Sequence, residues 1–293
     1  MQGAPVSYPG SMNQAEKAAL LRRLHDGPSI LRLCNVWDAA SARIVEQAGF
    51  PAVATSSAGV AFSLGYPDLE IIPAGEMLAH VARIARVVAV PVTADLEAGY
   101  EDIERTAAGL VEAGAVGVNL EDFQNGKLVD LAAQIEKIHA VRRVGERLGV
   151  PIVINARTDV YLAQLGDAAT RFEKSVERLL AYRDAGADCL FVPGVCDQET
   201  IAGLVKALQF PLNILGTAGS PTVERLQELG VARVSLGSGP MRATMGLMRR
   251  IAEEFRDSGT YCRMLDGPAP YPEANELMQT VARAHGLRIP KSL

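Results

Sequence analysis

A helical stretch that ends in glycine and is followed by a short apolar run occurs four times, and this pattern limits the fold more than any other feature. It appears at Glu46-Gln47-Ala48-Gly49 before Pro51 to Ala54, and at Glu112-Ala113-Gly114 before Val116 to Leu120. It returns at Asp184-Ala185-Gly186 before Asp188 to Val192, and at Glu228-Leu229-Gly230 before Ala232 to Leu236. Glycine just past a helix supplies the left-handed residue that stops it. Runs this short and without alternation suit parallel strands buried on both faces. Three more runs, Pro91 to Asp95, Pro151 to Asn155 and Pro211 to Leu215, each open with proline, which the first residue of a strand tolerates. With Ile30 to Cys34 these make eight strands.

The segments between them read as helices over residues 38–48, 73–89, 101–113, 130–148, 167–185, 197–207, 221–229 and 239–257. Pro73 and Pro221 stand near first helical turns, and Asp38, Asp167 and Asp197 suit N-caps. Strict alternation of strand and helix predicts an α/β fold, a (β/α)8 TIM barrel, over residues 12–258. The competing architecture, an open doubly wound sheet, lacks a glycine-rich phosphate fingerprint after the first strand. Residues 1–11, rich in Gly, Pro and Ser, read as a tag rather than a signal peptide. Residues 259–293 read as a C-terminal helical arm after the turn-rich link at 266–270.

Composition narrows the partners. The formal net charge of −5, with no basic cluster, argues against nucleic acid and against an anionic membrane surface. No apolar run reaches the ~18 residues of a membrane span. The four cysteines have no C-x-x-C spacing, so free thiols in a cytoplasmic location are expected.

Function in a barrel is read from the carboxyl ends of its strands. After the first strand come Asn35, Trp37 and Asp38; after the second, Ser56 and Ser57, then Asp68. The third gives Asp95 and Glu97, the fourth Asn119, Glu121 and Asp122. The fifth gives Asn155, Arg157 and Asp159, the seventh Asn213 and Thr217. Asp95 and Glu97 are two residues apart, a spacing that puts both on one face of a strand. Crowded acids repel unless one is protonated or a cation lies between them, and an all-oxygen ligand set suits a hard divalent ion. Magnesium keeps several waters, so one carboxylate can bind it directly while others hold its waters. Arg157 can fork to a carboxylate or to developing negative charge. The alternative for Arg157 is a structural ion pair with Asp159 or Glu121. Backbone N–H groups near Ser56 and Ser57 can receive a carboxylate, as loop nests do. Asp122 has no evident role, Lys127 reads as solvated, and Trp37 reads as packing. His25, His80, His139 and His285 fall away from the strand ends, and Cys196 has no adjacent base. Ser238-Gly239, after the last strand, is a minority candidate for a phosphate.

Five motifs in register carry a resemblance. Asn35-Val36-Trp37-Asp38-Ala39, Ser56-Ser57-Ala58-Gly59 with Ser63 to Asp68, and Asp95-Leu96-Glu97-Ala98-Gly99-Tyr100 are the first three. Gly117-Val118-Asn119-Leu120-Glu121-Asp122 and Asn155-Ala156-Arg157-Thr158-Asp159 complete the set. Together they resemble the isocitrate lyase/phosphoenolpyruvate mutase superfamily, from about Leu33 to about Ala243. The resemblance implies a (β/α)8 barrel, Mg²⁺ or Mn²⁺, and making or breaking of C–C or C–P bonds beside an oxo acid. It implies Asp95 as direct metal ligand and Asp68, Glu97 and Glu121 as ligands through water. It implies Arg157 as the substrate-stabilising arginine, Glu121 as its catalytic companion, and Ser56, Ser57 and Asn213 as substrate-binding residues. It further implies a homo-oligomer, a dimer of dimers with swapped C-terminal helices.

Two departures narrow the chemistry. Lyases of the family carry a Lys-Lys/Arg-Cys-Gly-His loop after the fourth strand, whose Cys moves protons. Here the loop is Phe123 to Val129, with neither Cys nor His. Ala54 stands where relatives often carry an aromatic residue. The expectation is therefore a lyase or decarboxylase for a small 2-oxo or 2-hydroxy acid, working through an enolate. A phosphonate-processing enzyme and a non-catalytic oxo-acid-binding protein are the rivals.

Overall fold

The computed structural model describes residues 12–284, so the expected tag lies outside the described residues. β1 (Leu31–Leu33) and β2 (Asn35–Val36) are two halves of one strand interrupted at Cys34. The first half pairs with β11 (Arg233–Ser235) and the second with β3 (Val53–Thr55). From β3 the ladder continues through β4 (Val92–Asp95), β5 (Gly117–Glu121), β8 (Val153–Arg157), β9 (Cys189–Val192) and β10 (Leu212–Leu215) to β11, each pairing parallel. Because both halves of one strand close the ring, the sheet has no free edge, and the open alternative is excluded. The remaining strands, β6 (Phe123–Gln124) and β7 (Lys127–Leu128), form an antiparallel hairpin after β5.

α2 (Ala39–Gln47), α4 (Ala74–Val87), α5 (Ile103–Glu112), α6 (Leu131–Leu148), α7 (Arg171–Asp184), α8 (Gln198–Leu208) and α9 (Val223–Glu228) alternate with the strands as expected. Gly49, Gly114, Gly186 and Gly230 all adopt positive φ between 87° and 99°, the left-handed stop that the repeated pattern required. Asp38 and Asp197 cap α2 and α8 by accepting from Ser41 N and Thr200 N. Pro73 is the N-cap of α4 rather than its first helical residue.

α1 (Gln14–Arg23) precedes the first strand and has no counterpart in the repeat. Asn13 and Glu16 form a capping box at its start. Its Leu21 is fully buried against Gly117 of β5. A Cβ on Gly117 would stand 2.7 Å from Leu21 Cδ2 and 2.8 Å from Thr93 Oγ1, so close packing here requires glycine. Arg22 pairs with Asp188, which also takes Arg142.

His25 follows α1 into the interior. Its Nδ1 lies 2.9 Å from Leu21 O, and its Nε2 lies 3.5 Å from Arg233 Nη1. Burial, and then the Arg233 charge, push its pKa down from 6.5 to about 4. The unfolded chain therefore takes up this proton first as pH falls. Stability is full above about pH 6.5 and is lost down to about pH 4, by roughly 3 kcal/mol at most. In parallel denaturation series, wild type should lose that much more stability than His25→Gln between pH 7 and pH 4. Parallel pH curves would refute the buried neutral imidazole.

α10 (Gly239–Ser258) differs from the long helices that precede it. None of its residues is buried, and Met248 and Phe255 are 62% and 66% exposed. α11 (Tyr271–Ala284) lies on α2, where Arg43 Nε donates to Leu277 O at 3.4 Å.

Candidate active site

The carboxyl ends of β3, β4, β5 and β8 gather the acids. Asp95, the last residue of β4, is set from two sides. Its N–H donates to Thr55 Oγ1 at 2.9 Å, and its Oδ2 accepts from Ser57 N at 3.2 Å and Ser57 Oγ at 3.0 Å. Its Oδ1 is buried without a hydrogen-bond partner. Ser56 and Ser57 do not form the expected open loop turn. They begin α3 (Ser57–Ser63), with Ser56 Oγ accepting from Gly59 N at 3.2 Å. The half-buried Trp37 lies against this turn, as a Cβ on Gly59 would meet its Cβ at 3.2 Å.

Glu97 reaches the same place by another route than the one expected. The strand ends at Asp95, and Glu97 sits beyond it in the left-handed region, with φ 53°. Strand alternation does not bring the two acids together; a turn closed by Gly99 N–H donating to Leu96 O at 2.9 Å does. Gly99 itself has φ 95°, which suits glycine alone at low cost. Glu97 Oε2 accepts from Glu70 N at 2.6 Å, and its Oε1 is buried and unpartnered. Asp68 Oδ1 is likewise buried without a partner. Burial and the neighbouring Asp95 raise the Asp68 pKa, and burial with Asp95 and Asp68 takes Glu97 up to about 8.

Glu121 ends β5 and is buried; burial holds its carboxyl well above the usual range despite Arg157. Arg157 stands between two carboxylates. Its Nη1 is 2.7 Å from Glu121 Oε2, and its Nε and Nη2 donate to Asp159 Oδ1 and Oδ2 at 2.5 and 2.7 Å. Its guanidinium lies 5.8 Å from the centre of the Phe191 ring. Burial disfavours the charge on Arg157, but Glu121 and Asp159 outweigh it and keep the side chain protonated. Arg157 thus forms the ion pairs with Glu121 and Asp159 from the last position of β8, at the mouth of the barrel.

Three orphaned carboxylate oxygens, on Asp68, Asp95 and Glu97, suit a hard divalent cation, which would offset the burial and the mutual repulsion that raise Asp68 and Glu97. Among the described residues, no three His, Cys, Asp or Glu side chains converge as direct ligands of one ion. Asn213 is enclosed lower in the barrel, where its amide and Ser235 Oγ exchange hydrogen bonds of 3.2 and 3.3 Å.

Two residues matter more here than the sequence suggested. Asp122 is completely buried and accepts from four groups. These are Asp159 N at 2.9 Å, Thr158 Oγ1 at 2.7 Å, Arg178 Nε at 2.6 Å and Tyr182 OH at 2.7 Å. It locks the end of β5 to the segment that carries Asp159. Glu70 ties the loop before α4 to the rest of the mouth, accepting from Tyr100 N and from Gln124 Nε2, both at 2.7 Å. No local signal marks Glu70. The β6–β7 hairpin did have one: Asn125-Gly126, with φ 53° and 76°, is the pair a two-residue hairpin turn prefers. A groove of about 930 Å³ opens beside the acids and shares Glu97 and Glu121 with them, together with Glu70, Tyr100 and Phe123.

A closed (β/α)8 barrel with acids from successive strand ends and one arginine among them defines a barrel enzyme. The model of the phosphoenolpyruvate phosphomutase family matches residues 21–256. The chain belongs to that family, within the isocitrate lyase/phosphoenolpyruvate mutase superfamily. It is 31% identical to an oxaloacetate decarboxylase of Rhodopseudomonas palustris, over 92% of this chain and 93% of that one. It is 31% identical to a 2-methylisocitrate lyase of Aeropyrum pernix, over 84% and 82% of the two chains. A solved structure of oxaloacetate acetylhydrolase with 3,3-difluorooxalacetate superposes with a TM-score of 0.81 at 27% identity, covering 95% of this chain and all of the other.

Proposed function

We propose that this enzyme is a divalent-metal-dependent lyase of the decarboxylase type, acting on a small 2-oxo or 2-hydroxy acid. The observation that carries the reading is the set of three buried, unpartnered carboxylate oxygens beside Arg157. Asp95 would hold Mg²⁺ or Mn²⁺ directly, with Asp68, Glu97 and Glu121 reaching it through water. When bound, the ion supplies Lewis-acid stabilisation of negative charge on an oxygen. Ser57 holds the Asp95 carboxylate in one orientation. With Nε and Nη2 donating to Asp159 and Nη1 at Glu121, Arg157 would offer its remaining Nη N–H groups to the developing enolate oxygen or to a carboxylate of the acid. In decarboxylation the C–C bond electrons pass into the enolate and carbon dioxide departs, so no C–H proton need be removed. Water then returns a proton to carbon. The hairpin after β5 supports this choice, because Phe123 to Val129 contains neither Cys nor His to move a substrate proton. Relatives named for oxaloacetate chemistry support the same substrate class.

The exposed apolar residues of α10 support an exchange of this helix with a second copy, in a dimer of dimers. No helix among the described residues is long and apolar enough to cross a membrane, and the free cysteines fit a reducing cytoplasm.

The test is thermal melting with Mg²⁺, with and without oxalate, which resembles a pyruvate enolate. Wild type should be stabilised by about 2.7 kcal/mol at a hundredfold excess of oxalate over its Kd. The shift should require Mg²⁺ and vanish in Asp95→Ala. No shift in wild type overturns the reading. Turnover of phosphonopyruvate, followed by ³¹P NMR, would move the enzyme to C–P chemistry.

A further inference from the structure

The barrel interior contains an arginine that contacts no carboxylate among the described residues. Arg233, on β11, is completely buried, and its guanidinium touches His25 Nε2 and Asn119 Oδ1. A guanidinium only donates. The atom of Asn119 that faces Arg233 Nη2, 3.2 Å away, must therefore be its amide oxygen. The same oxygen accepts from Asn155 Nδ2 at 2.8 Å, so the Asn155 amide orientation follows from that of Asn119. Both amides are thus set by one obligate donor beneath them, and neither is free to flip.

This has a consequence at the mouth. Asn119 is the register partner of Asp95, and adjacent parallel strands point paired side chains to the same face. With its oxygen engaged from below, Asn119 turns its two N–H donors away from Arg233, and they make no hydrogen bond among the described residues. Asn119 is 5% exposed, and its amide nitrogen is not among the fully buried unpartnered atoms, so the residue's small opening includes these donors.

We infer that Asn119 is a ligand-binding residue, donating to an oxygen of the bound acid, and that Arg233 is the positioning residue that imposes this polarity. The inference rests on the functional reading above and extends its site. An acceptor oxygen, a carboxylate or an enolate, completes the Asn119 amide, whereas a ligand presenting a hydroxyl donor there meets two N–H groups.

A double-mutant cycle read by calorimetry tests it, titrating Mg²⁺ alone and then oxalate at saturating Mg²⁺. Asn119→Ala should retain Mg²⁺ binding and weaken oxalate about tenfold or more. Arg233→Met should weaken oxalate about fivefold in the wild-type background and not at all in the Asn119→Ala background, because its effect runs through that amide. Arg233→Lys, which keeps an obligate donor, should recover most of the loss. Where Asn119→Ala fails to fold, Asn119→Ser serves in the same cycle. Unchanged oxalate affinity on loss of the amide, or an equal loss from Arg233→Met in both backgrounds, overturns the inference alone. Absence of oxalate binding by wild type overturns the functional reading, and this inference with it.

Discussion

Asp122→Ala should cost about 3–5 kcal/mol of stability, seen as a fall of roughly 5–15 °C in the melting midpoint. The carboxylate is inaccessible to water and accepts four hydrogen bonds, one from the Arg178 guanidinium. Its removal leaves Arg178 buried against Tyr182 OH at 2.9 Å and Val129 O at 2.7 Å, with no counter-charge. An uncompensated buried charge is far costlier than a lost surface pair. The double variant Asp122→Ala/Arg178→Met should regain part of the loss, since it removes the stranded charge. A fall below about 1 kcal/mol for the single variant would mean that water reaches Arg178 and the lock is weak.

On the proposed reading, Arg157→Lys should lower turnover of the 2-oxo acid substrate by about 10²–10³, with the melting midpoint changed far less. Lysine keeps a positive charge between Glu121 and Asp159, which preserves most of the electrostatic balance of these buried acids. It loses the planar fork that contacts Asp159 through two nitrogens while a third reaches Glu121. Removal of one preorganised donor to a developing oxyanion typically costs this much in rate. Wild-type turnover in Arg157→Lys would mean that the guanidinium is purely an ion-pair partner. A collapse in stability equal to that of Asp122→Ala would point the same way.

Together the two variants separate the acids into a folding pair and a chemical set. Asp122 and Glu121 are adjacent in sequence, yet β5 ends at Glu121 and the chain bends at Asp122, which sends the two carboxylates to different partners. Glu121 faces Arg157 and the mouth; Asp122 reaches outward past the barrel wall to α7, where Arg178 and Tyr182 wait. A list of strand-end acids cannot divide them, because the division depends on which helix packs behind the strand.

Much of the molecule was nevertheless legible in one dimension. The four glycine stops, the eight apolar runs and the N-caps at Asp38 and Asp197 are local matters of backbone conformation and hydrogen bonding, so they can be read residue by residue. The same holds for the family motifs that single out Asp95, Glu121 and Arg157. α1 and α3 were missed for opposite reasons. α1 precedes the first strand and belongs to no repeat. α3 is a single short helix built from small residues that read equally well as a turn. Glu97 was paired with Asp95 for the wrong geometric reason, since a strand was assumed to continue where the backbone turns into a left-handed residue.

The alternation, and with it a barrel whose strand ends carry acids, follows from spacing along the chain and is readable without the fold. Which acids lack partners, which one locks the wall, and which way the Asn119 amide points emerge in the assembled barrel alone. Those properties depend on groups far apart in sequence: Ser57 on Asp95, Arg178 on Asp122, and Arg233 beneath Asn119. Strand pairing, helix packing and ring closure bring them within hydrogen-bond distance, and a buried donor or acceptor is defined by what stands opposite it, not by its neighbours in the chain.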